Sequence, residues 1–93
     1  MDKEQQKVWD ALRYDIRVNE YGDKYWFLNG ELHREDGPAA EYATGNKSWY
    51  LHGKRHREDG PAIEGADGFK RWYLNNVRYS EENFNKEITK RNG

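Results

Sequence analysis

The hydrophobic positions of this chain gather into three short aromatic runs, Trp26-Phe27-Leu28, Trp49-Tyr50-Leu51 and Trp72-Tyr73-Leu74, set in long polar stretches. Such residues favour strands. A Gly-bearing polar segment leads into each run (YGDK, TGNK, DGFK), and Asn29-Gly30, His52-Gly53 or Asn75-Asn76 follows it. Those following residues tolerate positive φ, so each run predicts one arm of a hairpin. The segment HREDGPA comes next, twice, and its Gly-Pro ends a strand and redirects the chain. Alternation places Trp and Leu of each run on one face and Phe27, Tyr50 and Tyr73 on the other. The Trp/Leu ladder has the larger apolar area and is assigned to the core. Ile16 and Val18 suggest one phase for the incoming strands and Ala40 and Ile63 the opposite one, which leaves their register open.

The runs recur at a fixed spacing. Residues 26–48 and 49–71 are identical at 14 of 23 positions, and a third copy opens at Trp72 as WYLNNVRYS. Self-similarity at this period marks a repeat architecture, and each unit is too short for a βαβ crossover. The pattern predicts a mainly β (α+β) fold: an antiparallel β-meander of about six short strands over residues 15–79, growing by one hairpin per unit. The termini supply covers for its open face and ends. A helix is expected over residues 1–14, with Asp2 as N-cap and Val8, Trp9 and Leu12 on one side. A second helix with its tail is expected over 80–93, capped by Ser80, with Glu81 and Glu82 favouring the dipole and Phe84 and Ile88 four apart. The whole chain, 1–93, reads as a single domain.

Composition sharpens this picture. Only 34% of residues are apolar and 35% are charged, and Leu, Ile, Val and Phe together number 14. Such poverty goes with disorder only when net charge is high, and here 16 basic residues nearly cancel 17 acidic ones. Four Trp and seven Tyr carry the missing area, each able to bury roughly 150–250 Å². No apolar stretch is long enough for a membrane span, no apolar region follows Met1 as in a secretory signal, and with no cysteine there is neither disulfide nor thiolate chemistry. A cytoplasmic setting is expected. Near-zero net charge disfavours general electrostatic binding to nucleic acid.

The strings WFLNGELHREDGPA, WYLHGKRHREDGPA and WYLNNVRYSEENF resemble MORN-type repeat proteins, and more narrowly the small WYLNG/HREDGPA repeat proteins encoded by bacteriophages and bacteria. The resemblance covers about residues 16–84. In the broader family Trp, a following Gly, and a His leading to a second Gly form the repeat skeleton; here those are Trp26, Gly30, His33 and Gly37, then Trp49, Gly53, His56 and Gly60. This chain inserts Arg-Glu-Asp between His and Gly, which lengthens the connection relative to the family. The resemblance implies a scaffold for protein contacts. The phage relatives belong to a population that includes inhibitors of host defence of the anti-CRISPR kind.

His, Glu and Asp in HREDGPA are acid–base and metal-ligand types, but their duplication speaks for a structural turn, because catalysis needs one asymmetric constellation. Asp36 and Asp59 are expected in Asx turns, and Arg34 and Arg57 are expected to bond nearby carbonyls or Glu35 and Glu58. His52 and His56 straddle a hairpin turn, so their H-x-x-x-H spacing does not converge on a metal. No phosphate-cradling loop or hydrolase elbow is present. The expectation is a non-enzymatic binding module with no catalytic residue, cofactor or metal ligand. Its recognition stripe is Phe27, Tyr50 and Tyr73 with Tyr25 and Arg71, since Tyr presents large area at low entropy cost. Leu28, Leu51, Trp72 and Leu74 complete the structural set. The partner expected is a protein, a host protein if the chain is phage-encoded, held or blocked sterically. The alternatives are a stripe that only stiffens the sheet, a homodimer interface, a lipid-headgroup platform, or a platform for single-stranded nucleic acid with Lys24, Lys47, Lys70 and Arg71 at the phosphates.

Overall fold

A computed structural model describes residues 13–92. The helix expected over residues 1–14 falls almost entirely outside them. The described chain is mainly antiparallel β-sheet closed by one helix: β1 (Asp15–Val18), β2 (Lys24–Leu28), β3 (Glu31–Leu32), β4 (Ala40–Glu41), β5 (Lys47–Ser48), β6 (Tyr50–Leu51), β7 (Lys54–Arg55), β8 (Ile63–Glu64), β9 (Lys70–Leu74), β10 (Val77–Tyr79) and α1 (Glu81–Asn92).

The turn residues act as their chemistry requires. Leu28 pairs with Glu31, Leu51 with Lys54 and Leu74 with Val77, leaving two-residue turns whose central residues all have positive φ. Those angles are 53° and 80° at Asn29-Gly30, 52° and 77° at His52-Gly53, and 51° and 69° at Asn75-Asn76. Two consecutive left-handed residues make the primed turn that matches strand twist.

The strands run β1-β2-β4-β5-β8-β9-β10 across the main sheet, with β3 attached to β2 alone and β6-β7 forming a separate ribbon. Ten short strands therefore stand where the pattern predicts about six. The reason lies at the tryptophans. Trp26 N–H donates to the Ala39 carbonyl, 2.8 Å, while its own carbonyl accepts from His33 N–H, 3.1 Å; Trp49 does the same with Ala62, 2.8 Å, and His56, 3.2 Å. Both bonds leave the same edge of the Trp, one to the incoming strand of the next unit and one to the outgoing arm of its own hairpin, so β3 and β4 share one edge of β2. At Trp49 the strand divides, β5 pairing β4 and β8 while β6 pairs only β7.

Register also settles the two phases of the incoming strands. Ile16 and Val18 lie opposite Trp26 and Lys24, on the tryptophan face. Ala40 lies opposite Tyr25, Ser48 opposite Ala40, and Ile63 opposite both Ser48 and Arg71, on the tyrosine face. On the tryptophan face too runs the ladder Lys24, Glu41, Lys47, Glu64, Lys70, each directly opposite the next. Cross-strand pairs of opposite charge stabilise by roughly 0.2–1 kcal/mol each.

The core is thin. Trp26, Ala39, Ala40, Ala62, Leu74 and Phe84 are buried, with His33, Ser48 and His56 beside them. Helix α1 lies against β9 and β10 and contributes Phe84. Ser80 caps it as its residue type predicts, its hydroxyl accepting from Asn83 N–H at 3.1 Å. No described helix is long and apolar enough to cross a membrane.

Candidate binding face

The two HREDGPA segments build near-identical clamps. His33 Nδ1 accepts from His52 N–H, 2.8 Å, and His56 Nδ1 from Asn75 N–H, 3.0 Å. Each imidazole is thus fixed as an acceptor toward the next hairpin turn, leaving Nε2 at 3.4 Å from Glu35 and 3.5 Å from Glu58. The Arg34 guanidinium sits 4.0 Å over the Trp26 ring and that of Arg57 3.9 Å over Trp49. Arg34 also donates to Asp36 and the Pro38 carbonyl and pairs with Glu41; Arg57 donates to Asp59 and the Pro61 carbonyl and pairs with Glu64. Asp36 and Asp59 each accept from the Nε of the arginine two residues back, a charge-assisted bond. Arg57 holds the Asp59 carboxyl below its usual range, and His33 followed by Arg13 does the same for Glu35. Gly37 and Gly60 have no room for a side chain beyond these arginines.

A cleft of about 680 Å³ is lined by both loops together with Trp49, Leu51 and Asn92 of α1. Arg34, His56 and Arg57, which line it, are occupied by the bonds just described. Among the described residues no group of three or more His, Asp or Glu side chains assembles that could hold a metal ion. His52 and His56 do not converge on each other; the ring facing His52, 4.5 Å between centroids, belongs to His33.

The opposite side of the sheet is aromatic. Tyr25 lies 6.4 Å from Phe27 and meets Tyr42 edge-on at 5.9 Å. Burial, then the neighbouring phenols of Tyr50 and Tyr25, push the Tyr42 hydroxyl above its usual range, with Arg55 opposing. The Arg55 guanidinium lies 5.8 Å from the Tyr50 ring and 5.5 Å from that of Tyr73. Phe27, Tyr25, Tyr42, Tyr50, Arg55 and Tyr73 therefore form one continuous belt, and Arg17 stacks on Phe27 at its end, 5.5 Å.

The belt brings together four of the five residues expected for recognition: Tyr25, Phe27, Tyr50 and Tyr73. Arg71 shares their face by alternation, but its guanidinium stacks on Phe69, 5.3 Å. These rings are half-buried rather than fully exposed, and so are Trp49, Trp72, Leu28 and Leu51; within the two ladders only Trp26 and Leu74 are buried. The division into one core face and one open face is softer than alternation suggests: β6-β7 stands apart from the main sheet, and Ala40 and Ser48 on the tyrosine face are buried while Ile16 and Val18 on the tryptophan face are exposed. Tyr42 and Arg55 escape a reading based on the repeat. Gly65 replaces Tyr42 in the next unit, so no recurrence flags it. Arg55 follows only from hairpin arithmetic, since a two-residue turn at His52-Gly53 puts it opposite Tyr50.

In comparisons with protein-family models, curated proteins and solved structures, nothing matches this chain.

Proposed function

We propose that this chain is a non-enzymatic protein-binding module, a MORN-like repeat domain that docks a partner on its tyrosine face. The observation that carries the reading is the belt of Phe27, Tyr25, Tyr42, Tyr50 and Tyr73, five rings in one continuous, partly exposed surface. Interfaces concentrate their energy in such rings, which offer contact area at small entropic cost. The recurrence of the His and Arg clamps in successive units supports the repeat reading. It also supports a structural use of HREDGPA, because the groups that chemistry would need are engaged in holding one hairpin to the next. The mode of action is steric, a stiff sheet covering a surface of its partner. The setting is the cytoplasm, and for a phage-encoded chain the host's, where a defence or regulatory protein would be the one blocked.

Affinity capture from the producing cell's lysate tests this. Wild type should retain a partner that Tyr50→Ala and Tyr73→Ala lose, while both variants keep a cooperative unfolding transition. Equal capture by all three would refute the assignment of this face.

A further inference from the structure

Arginines on the two faces differ in what they are bonded to. On the tryptophan side Arg34 pairs with Asp36 and Glu41, Arg57 with Asp59 and Glu64, and Arg91 with Glu87 and Glu58. On the tyrosine side Arg17 is paired with Asp15, at the β1 end. Toward β10, register places Arg55 opposite Tyr50, Arg78 opposite Tyr73 and Arg71 opposite Ile63. The Arg55 side chain touches only rings, and that of Arg71 reaches a ring and the Lys70 carbonyl. Among the described residues none of these three has a carboxylate partner. The other described arginines each pair with a carboxylate, so these three stand apart from them, unneutralised beside the aromatic belt.

Resting on the protein-binding reading above, we propose that this half of the face receives a protein surface bearing carboxylates. The partner's Asp and Glu pair with Arg55, Arg71 and Arg78, and its apolar groups lie on Tyr50 and Tyr73. The guanidinium group is the cation suited to this, since its fork matches a carboxylate while its plane stays on an aromatic ring. Nucleic acid fits less well. Three cations release few counterions from a phosphate backbone.

The test is fluorescence anisotropy with two probes, a labelled peptide of alternating Glu and Phe and a labelled oligothymidylate, at about 50 mM and about 200 mM salt. The peptide should bind, weaken with salt, and weaken about tenfold in Arg55→Gln, the loss of one charge-assisted contact. Lys86→Gln on the helix should leave it unchanged. Absence of peptide binding, insensitivity to Arg55→Gln, or tighter binding of the oligonucleotide each overturns the proposal. The captured partner separates the two levels. If Tyr50→Ala loses it and Arg55→Gln does not, the face stands and the charge assignment fails; if neither loses it, both fail.

Discussion

Arg57→Ala measures what a clamp is worth. The Arg57 side chain is 19% exposed, stacked 3.9 Å from the centre of Trp49, and bonded to Asp59 at 2.8 Å, the Pro61 carbonyl at 3.0 Å and Glu64 at 2.9 Å. Stacking in a half-desolvated site contributes about 1 kcal/mol. The bonds to Pro61 and Glu64 contribute about 1 kcal/mol each. The pair with Asp59, which is 85% exposed, adds less than about 0.5 kcal/mol after solvent screening. The substitution should therefore cost about 3 kcal/mol, a large share of the stability of a small domain, and Arg57→Lys about half as much, because the charge survives while the fork does not. Urea unfolding followed by tryptophan fluorescence reads this as a drop in midpoint of about 2 M for a chain of this size. A pH series adds a sign. With the Asp59 carboxyl lowered in the folded state by Arg57, its contribution is present above the unfolded value near 3.9 and disappears as pH falls through the folded one. The gap between wild type and Arg57→Ala should narrow slightly below that point. A loss under about 0.5 kcal/mol at neutral pH would refute the clamp, since that is the range of ordinary surface changes.

Two further outcomes follow from single contacts. His33→Ala removes the acceptor for His52 N–H and should cost about 1–3 kcal/mol; hydrogen exchange should accelerate at the His52 amide and not at Asn75, which His56 holds, and equal exchange at His52 would contradict the assignment. Tyr42, raised chiefly by burial, contributes stability in full below the ordinary tyrosine value near 10 and loses it as pH climbs through the folded value. The phenolate absorbance of wild type minus that of Tyr42→Phe should rise later than that of a free tyrosine, and a coincident rise would refute the burial.

Much of the fold is legible in the sequence because local chemistry decides it. Asn29-Gly30, His52-Gly53 and Asn75-Asn76 turn where residues tolerant of positive φ must, and Ser80 starts the helix for the reason Ser caps helices generally. The places that resist reading depend on partners distant in sequence. Trp49 divides its strand because Lys47 and Ser48 pair with β4 and β8 while Tyr50 and Leu51 pair only with β7, and no propensity encodes that choice. Lys24, Lys47 and Lys70 look available to phosphate until register sets them opposite Glu41 and Glu64. The stacking of Arg34 on Trp26 and of Arg57 on Trp49 was hidden for the same reason: the chain must fold back through Gly-Pro before a guanidinium meets the ring. Of the belt, the recurring rings are visible as a ladder, while Tyr42 has no counterpart in the next unit and Arg55 emerges only with the hairpin's register.

The central claim, that the tyrosine face is where a partner sits, is tested most directly by site-specific photo-crosslinking in the cell that makes the protein. A benzophenone side chain in place of Tyr73 should yield a covalent adduct with a second protein, and the same group in place of Lys47, on the charged-ladder side, should yield none. An adduct from position 47 with none from position 73 would contradict the account.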